Sequence, residues 1–268
     1  MGGGPSQALS TAGPTWIDDP APVEIEPGRL DRVMLLGTPT TLPDGSTTGH
    51  VPVGPQAHLA IQGSETTPLP THFHGVDQFQ VFVYGAGVVG RHRVRRGVAH
   101  YADADTVYGP LCPGDEGMAY LTLRPTHDPG ASFMPGARDV LALRLARSAR
   151  PPASRRNVSV DLLDRASATR TDPRGDLASW TSLLAGDDEL RVALGTCPSH
   201  STIDTGTVGG SGAYLLVLEG SIDSGAGEAE GGALAWMPPG GSATGRAGSS
   251  GCRLALLQFP STTASREA

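Results

Sequence analysis

His72-Phe73-His74-Gly75-Val76-Asp77-Gln78-Phe79-Gln80-Val81-Phe82-Val83-Tyr84-Gly85 decides how this chain folds. Phe79 to Tyr84 is a short run rich in aromatic and β-branched residues that closes on a glycine, the pattern of a buried strand and its turn. His72 and His74 stand at i and i+2, where extended backbone points both imidazoles to one face. Further on, Gly97-Val98-Ala99-His100 brings a third imidazole from a later strand. Neutral imidazoles from neighbouring strands suit a first-row transition ion, and three of them leave coordination positions open for a substrate, water or O2.

Outward from this stretch the same rhythm continues. Apolar runs at Val33–Leu36, Ala57–Gln62, Phe79–Tyr84, Val88–Val94, Val98–Tyr101 and Ala119–Leu123 alternate with turn clusters, which predicts a β-sandwich or small barrel. Val140 to Leu145 reads as a closing strand. Residues 1–32 read as a tail over a sheet edge, 33–147 as a first β module and 148–176, rich in Pro, Arg and Ser, as a linker. Apolar runs resume at Leu190–Leu194, Tyr214–Leu218, Ala233–Met237 and Leu254–Phe259, which makes 177–262 a second β module before a short tail, 263–268. Tyr214 to Gly220 repeats the pattern of Phe79 to Gly85, at a shift in numbering of 220 − 85 = 135. That shift sets His72, His74, Gln78 and His100 against Thr207, Gly209, Ala213 and Ala235, none of which is a good ligand, and Trp236-Met237-Pro238-Pro239-Gly240 reads as a strand followed by a tight turn.

Composition removes several classes of function. Aromatic residues make up 5% and the net charge is −7, so neither a stacking platform nor an attraction to phosphate backbones is present, and nucleic acid is not an expected partner. No stretch of 18 apolar residues and no secretory leader is seen, which leaves a cytoplasmic chain with no membrane contact as the expectation. Met1-Gly2 with Ser6 matches the loose myristoylation pattern only as a glycine-rich sequence does by chance. Cys112, Cys197 and Cys252 are scattered and odd in number, which fits reduced thiols. All 20 basic residues are arginine, so a phosphate loop and a lysine Schiff base are excluded.

The spacing of His72, His74, Gln78 and Gly85, followed by Arg95, Gly97, His100 and Ala104, resembles the two sequence motifs of the cupin superfamily. Gln78 stands where the family carries Glu, Arg95 where it carries Pro and Ala104 where it carries Asn, and the stretch between the motifs is short. The resemblance implies an all-β chain of two cupin-type jelly-roll modules, a bicupin, whose second module has lost its site. It further implies one divalent ion held by His72, His74, Gln78 and His100, Fe(II) being favoured and Mn, Ni, Cu, Co or Zn also accepted. Gln78, a neutral amide, would leave the ion its full charge and favour a chelating substrate.

If Gln78 points inward, strand parity turns Gln80, Phe82 and Tyr84 inward with it, so Gln80 and Phe82, with Tyr120 from a later strand, are candidate substrate-pocket residues. The leading expectation is an oxygenase acting on a small chelating molecule and O2. A non-redox isomerase, lyase or cyclase and a non-catalytic binding module stay open, as does a homodimer. His50, His58, His92, His127 and His200 read as structural, and the basic run Arg91–Arg96 as a solvated face. Asp103, Asp105 and Tyr108 follow His100 closely enough for a carboxylate there to orient a ligand imidazole.

Overall fold

The computed structural model describes residues 15–261 apart from 23, 38–53, 149, 152–153, 164–177 and 226. In chain order the strands are β1 Thr15–Ile17, β2 Leu30–Leu36, β3 Gln56–Gln62, β4 His72–Phe73, β5 Gln78–Val89, β6 His92–Arg95, β7 Val98–Ala102, β8 Leu111–Arg124 and β9 Ser132–Phe133. Helix α1, Arg138–Arg147, comes next, and then β10 Asn157–Asp161, β11 Ser179–Ala185, β12 Arg191–Cys197, β13 Thr202–Asp204, β14 Ala213–Asp223, β15 Glu228–Glu230, β16 Leu234–Met237 and β17 Thr244–Gln258. One sheet runs β10-β7-β5-β8-β3-β2 with β6 on β5, and the other runs β1-β16-β14-β17-β12-β11 with β13 on β17 and β15 on β14. The all-β expectation of two modules is what the chain forms.

Alternation along the strands decides the packing. Odd-numbered Ala57, Leu59, Ile61, Phe79, Val81, Leu121 and Leu123 meet Val192, Leu194, Tyr214, Leu216, Leu257 and Phe259 in one core shared by both sheets. The Tyr214 hydroxyl lies 3.1 Å from the carbonyl of Gln56 and 3.2 Å from that of Arg124, a polar tie across that core. Even-numbered Ala60, Phe82, Met118 and Tyr120 face the other way, into the interior of the first barrel. The second barrel's interior is small and apolar throughout, with Ala213, Leu215, Val217, Ala235, Met237, Leu254 and Leu256 filling it.

The internal repeat is preserved in the register. Gln78 pairs with Ala102 and Ala213 with Met237, and both members of the first pair stand at the same offset from their counterparts in the second. Gly85 and Gly220 both adopt left-handed backbone, φ +63° and +73°, because a Cβ at either would lie 2.1 or 2.0 Å from the carbonyl oxygen of Gly117 or Gly251. The turn expected at Pro239-Gly240 is present, closed by the Gly241 amide donating to Pro238.

Several boundaries differ from the sequence expectation. The segment read as a closing strand, Val140 to Leu145, lies in α1. Its Leu, Ala and Arg residues are good helix formers, Asp139 sits in the first turn and Arg144 and Arg147 in the last, and no residue of it is buried, so no sheet face recruits it. The strand that flanks β7 comes instead from 157–161, inside the stretch read as a linker. The tail 1–32 is also structured in part: β1 pairs with β16 of the second sheet, and β2 already begins at Leu30. A bulge between Phe82 and Tyr84 breaks the parity of β5, so Tyr84 packs with the inter-sheet core and does not face the barrel interior.

Candidate functional site

The interior of the first barrel holds most of the buried polar side chains among the described residues. His72, His74, Gln78, Gln80, His100, Tyr108, Arg124 and Asp128 are all buried there or at its rim. β4 delivers His72 through its pairing with β9, and an isolated bridge joins His72 to Tyr108 by reciprocal backbone bonds. Asp105, φ +59°, makes the turn that leads into Tyr108.

These groups form one closed chain of hydrogen bonds. The His72 Nδ1–H donates to the Pro70 carbonyl at 2.6 Å, which leaves Nε2 to accept from the Tyr108 hydroxyl at 3.1 Å. The Gln78 amide nitrogen in turn donates to the Tyr108 oxygen. Arg124 Nε and Nη2 donate to Gln78 Oε1 at 3.2 and 3.1 Å, and Nη1 donates to Gln56 Oε1 at 2.7 Å. Nη1 also lies 3.3 Å from Asp128 Oδ2, which accepts His74 Nδ1–H at 2.7 Å, and Nη2 lies against the His74 ring, 3.2 Å from Nδ1 and 3.4 Å from Nε2.

Burial sets the protonation states. It pushes His72 down to about 4 and lowers His74 as well, although the Asp128 bond opposes it there, so both imidazoles are neutral near pH 7. Burial raises the Tyr108 phenol far above its ordinary range and Tyr120 up to about 12. For Asp128 burial works upward, but the bond from His74 and the Arg124 charge outweigh it and hold the carboxyl below its usual value. The guanidinium stays charged.

His100, expected as the third ligand, lies elsewhere. Its ring is 5.8 Å from Tyr108 and 4.9 Å from His92, its Nδ1 is 2.9 Å from the Ser159 hydroxyl, and its Nε2 has no partner among the described residues. Burial pushes it down to about 3. Gln80, its register partner on β5, is 3% exposed and likewise leaves Oε1 unpaired. Phe82 and Tyr120, register partners on β5 and β8, have ring centres 5.1 Å apart with planes tilted by 40°, and both lie in the cluster that fills the barrel interior. Asp103 and Asp105 touch no imidazole: Asp103 pairs with Arg150 and Arg156, and Asp105 with Arg144.

The residues present do not fit the three-histidine ion site. Among the described residues no group of three or more His, Cys, Asp or Glu is placed to hold a metal ion. The His72 lone pair is already engaged by Tyr108, the His100 ring packs against Tyr108 and His92, and a guanidinium nitrogen lies against the His74 ring, 3.2 Å from Nδ1 and 3.4 Å from Nε2. A divalent ion about 4 Å from that charge would be repelled by about 8 kcal/mol at an effective dielectric of about 20.

Arg124, Asp128 and Gln56 are the members of this cluster that the sequence reading missed, while Tyr108 was noted only as a neighbour of His100 and His58 only as structural. Arg124 and His58 carried one available signal, since they share the parity of Tyr120 and Ala60 on β8 and β3 and so face inward. Tyr108 and Asp128 lie outside any alternating run, and only the fold brings them in.

No protein-family model matches the chain, and no curated protein matches it. Solved structures do. An 11S globulin from Wrightia tinctoria, reported to reveal an auxin binding site, aligns over 94% of this chain and 85% of its own with a TM-score of 0.57 and 12% identity. A candidate dioxygenase from Nostoc punctiforme aligns over 97% and 93% with a TM-score of 0.53 and 11% identity. Procruciferin, an 11S globulin from Brassica napus, aligns over 89% and 87% with a TM-score of 0.51 and 13% identity. At such identities the likeness is one of fold.

Proposed function

We propose, for a chain that has the two-module cupin fold, that its first barrel binds a small hydroxylated organic molecule and works on it by proton transfer, while the second barrel is a structural partner. The observation that carries this is that two of the unpartnered buried atoms, His100 Nε2 and Gln80 Oε1, belong to register-paired residues that face the same interior, with a third, His92 Nε2, on the ring beside His100. An unsatisfied buried polar atom costs about 1–3 kcal/mol, so two of them side by side call for a bound molecule with a complementary donor and acceptor. Gln80 Oε1 accepts only, so the molecule brings a hydroxyl or N–H to it, and Phe82 and Tyr120 offer apolar walls.

Tyr108 and His72 supply the acid–base pair beside this place. The neutral imidazole accepts a hydrogen bond from the phenol, which burial keeps protonated, so a ligand proton that reaches the His72 lone pair meets a base and a ligand oxygen that takes over the Tyr108 hydroxyl, held by the Gln78 amide, meets a donor. This favours the non-redox reading over the oxygenase, whose support was the convergence of three histidines.

The test is a thermal-shift series with phenol, catechol and dihydroxyacetone, joined to proton NMR of dihydroxyacetone in D2O to read C–H exchange. Stabilisation that is lost in His100→Ala and Gln80→Ala, with exchange lost in Tyr108→Phe, is the expected result. If none of the three compounds raises the melting temperature and a crystal structure shows only water between His100 and Gln80, the reading fails.

A further inference from the structure

We infer that Arg124 is the resident cation of the first barrel: its guanidinium stands among His72, His74 and Gln78 where a divalent ion would collect, and it keeps such an ion out. Each of its nitrogens has an acceptor at hand. Nε and Nη2 share Gln78 Oε1, Nη2 also lies against the His74 ring, and Nη1 divides between Gln56 Oε1 and Asp128 Oδ2. The side chain is 4% exposed, so this charge is shielded by little water, and Asp128, 3% exposed, is its counter-charge. A lone buried guanidinium would be expelled or would disrupt the barrel; one that meets two amide oxygens and a carboxylate is held.

The donors around it are those an ion would need. Gln78 Oε1 turns its lone pairs toward the guanidinium, the His74 ring lies against it with both nitrogens within 3.4 Å of Nη2, and His72 Nε2 lies one bond further along, beyond the Tyr108 hydroxyl. Each histidine is anchored through Nδ1, on a carbonyl or a carboxylate, as a metal-bound imidazole is. The shell is therefore ordered around a positive centre, and the positive centre belongs to the chain. Its fixed charge also gives the hydrogen bonds one direction, from Arg124 through the Gln78 amide and the Tyr108 hydroxyl to His72, which polarises the phenol toward the imidazole.

Titration of the purified chain with Co(II), read by visible absorption and by metal content after dialysis, tests this. The wild-type chain is expected to retain no stoichiometric Co(II). Arg124→Gln, which keeps a hydrogen-bonding side chain but no charge, is expected to bind one Co(II) per chain at least about 100-fold more tightly, a deliberate discount on the repulsion of an unscreened guanidinium. Arg124→Lys, which keeps the charge, stays ion-free, and adding His72→Ala to Arg124→Gln abolishes the gain. Stoichiometric Co(II) in the wild type that disappears in His72→Ala overturns the inference, and this measurement stands even if Arg124→Gln does not fold. A folded Arg124→Gln that takes up no more Co(II) than wild type overturns it as well. His100→Ala is silent here, so failure of the ligand site at His100 and Gln80 and failure of this inference are read separately.

Discussion

Lowering the pH from 7.5 to 5 is expected to remove about 6 kcal/mol of folding stability, and the source is three imidazoles buried in the first barrel. His58 is pushed down to about 2, His100 to about 3 and His72 to about 4, in each case first by burial. In the unfolded chain each titrates near 6.5. Below that value the unfolded state takes up a proton that the folded state refuses, so stability falls with falling pH from about 6.5 down to each folded-state value. At pH 5 all three folded values are still lower, and about 1.5 units at about 1.4 kcal/mol per unit gives about 2 kcal/mol for each residue. That sum is comparable with the whole stability of a marginal domain.

His74, also lowered, acts in the same direction, whereas Asp77, raised by burial, protonates in the folded state first and offsets part of the loss toward lower pH. Urea denaturation followed by circular dichroism at pH 7.5, 6 and 5 measures the effect, and the slope between pH 6 and 5 should correspond to about three protons bound on unfolding. His58→Gln should reduce that slope by about one proton. A stability that is unchanged between pH 7.5 and 5, or that rises on acidification, would refute the reasoning.

Two further outcomes follow from the packing. Gly220→Ala should destabilise by more than about 2 kcal/mol in urea denaturation, because left-handed backbone costs about 1–2 kcal/mol for alanine before the new Cβ meets the Gly251 carbonyl oxygen; an unchanged midpoint would contradict the turn. Tyr214→Phe, which removes the hydroxyl shared by the Gln56 and Arg124 carbonyls across the inter-sheet core, should cost about 1 kcal/mol by the same assay, and no loss would mean that the tie contributes nothing.

The repeating strand signal made the fold legible. Phe79 to Gly85 and Tyr214 to Gly220 carry both the alternation and the glycine that each barrel needs, and the offset between them in sequence is the offset of the two registers. The closing element was not legible, because the short run Val140 to Leu145 fits a strand or a helix by its apolar residues, and only the lack of a buried face for it decides for helix. The site was legible in half: His72 and His74 are neighbours through local geometry, their rings 5.2 Å apart. His100 has the right residue type on a nearby strand, but its ring is taken up by Ser159 and His92. What fills the centre, Tyr108 and Arg124, is brought there by a bridge and by a strand whose distance along the chain is not encoded in any local pattern.

The pairing of β1 with β16 has a consequence for how the chain is made. Thr15 meets Trp236 and Ile17 meets Leu234, so β1 leaves the ribosome early and waits for most of both barrels to be synthesised before it acquires a partner. Until then the nascent protein carries an unpaired strand, and afterwards that strand covers the outer edge of β16. A proteolytic fragment cut after Ile17 would leave the β16 edge bare, an open template on which a second molecule's strand can add.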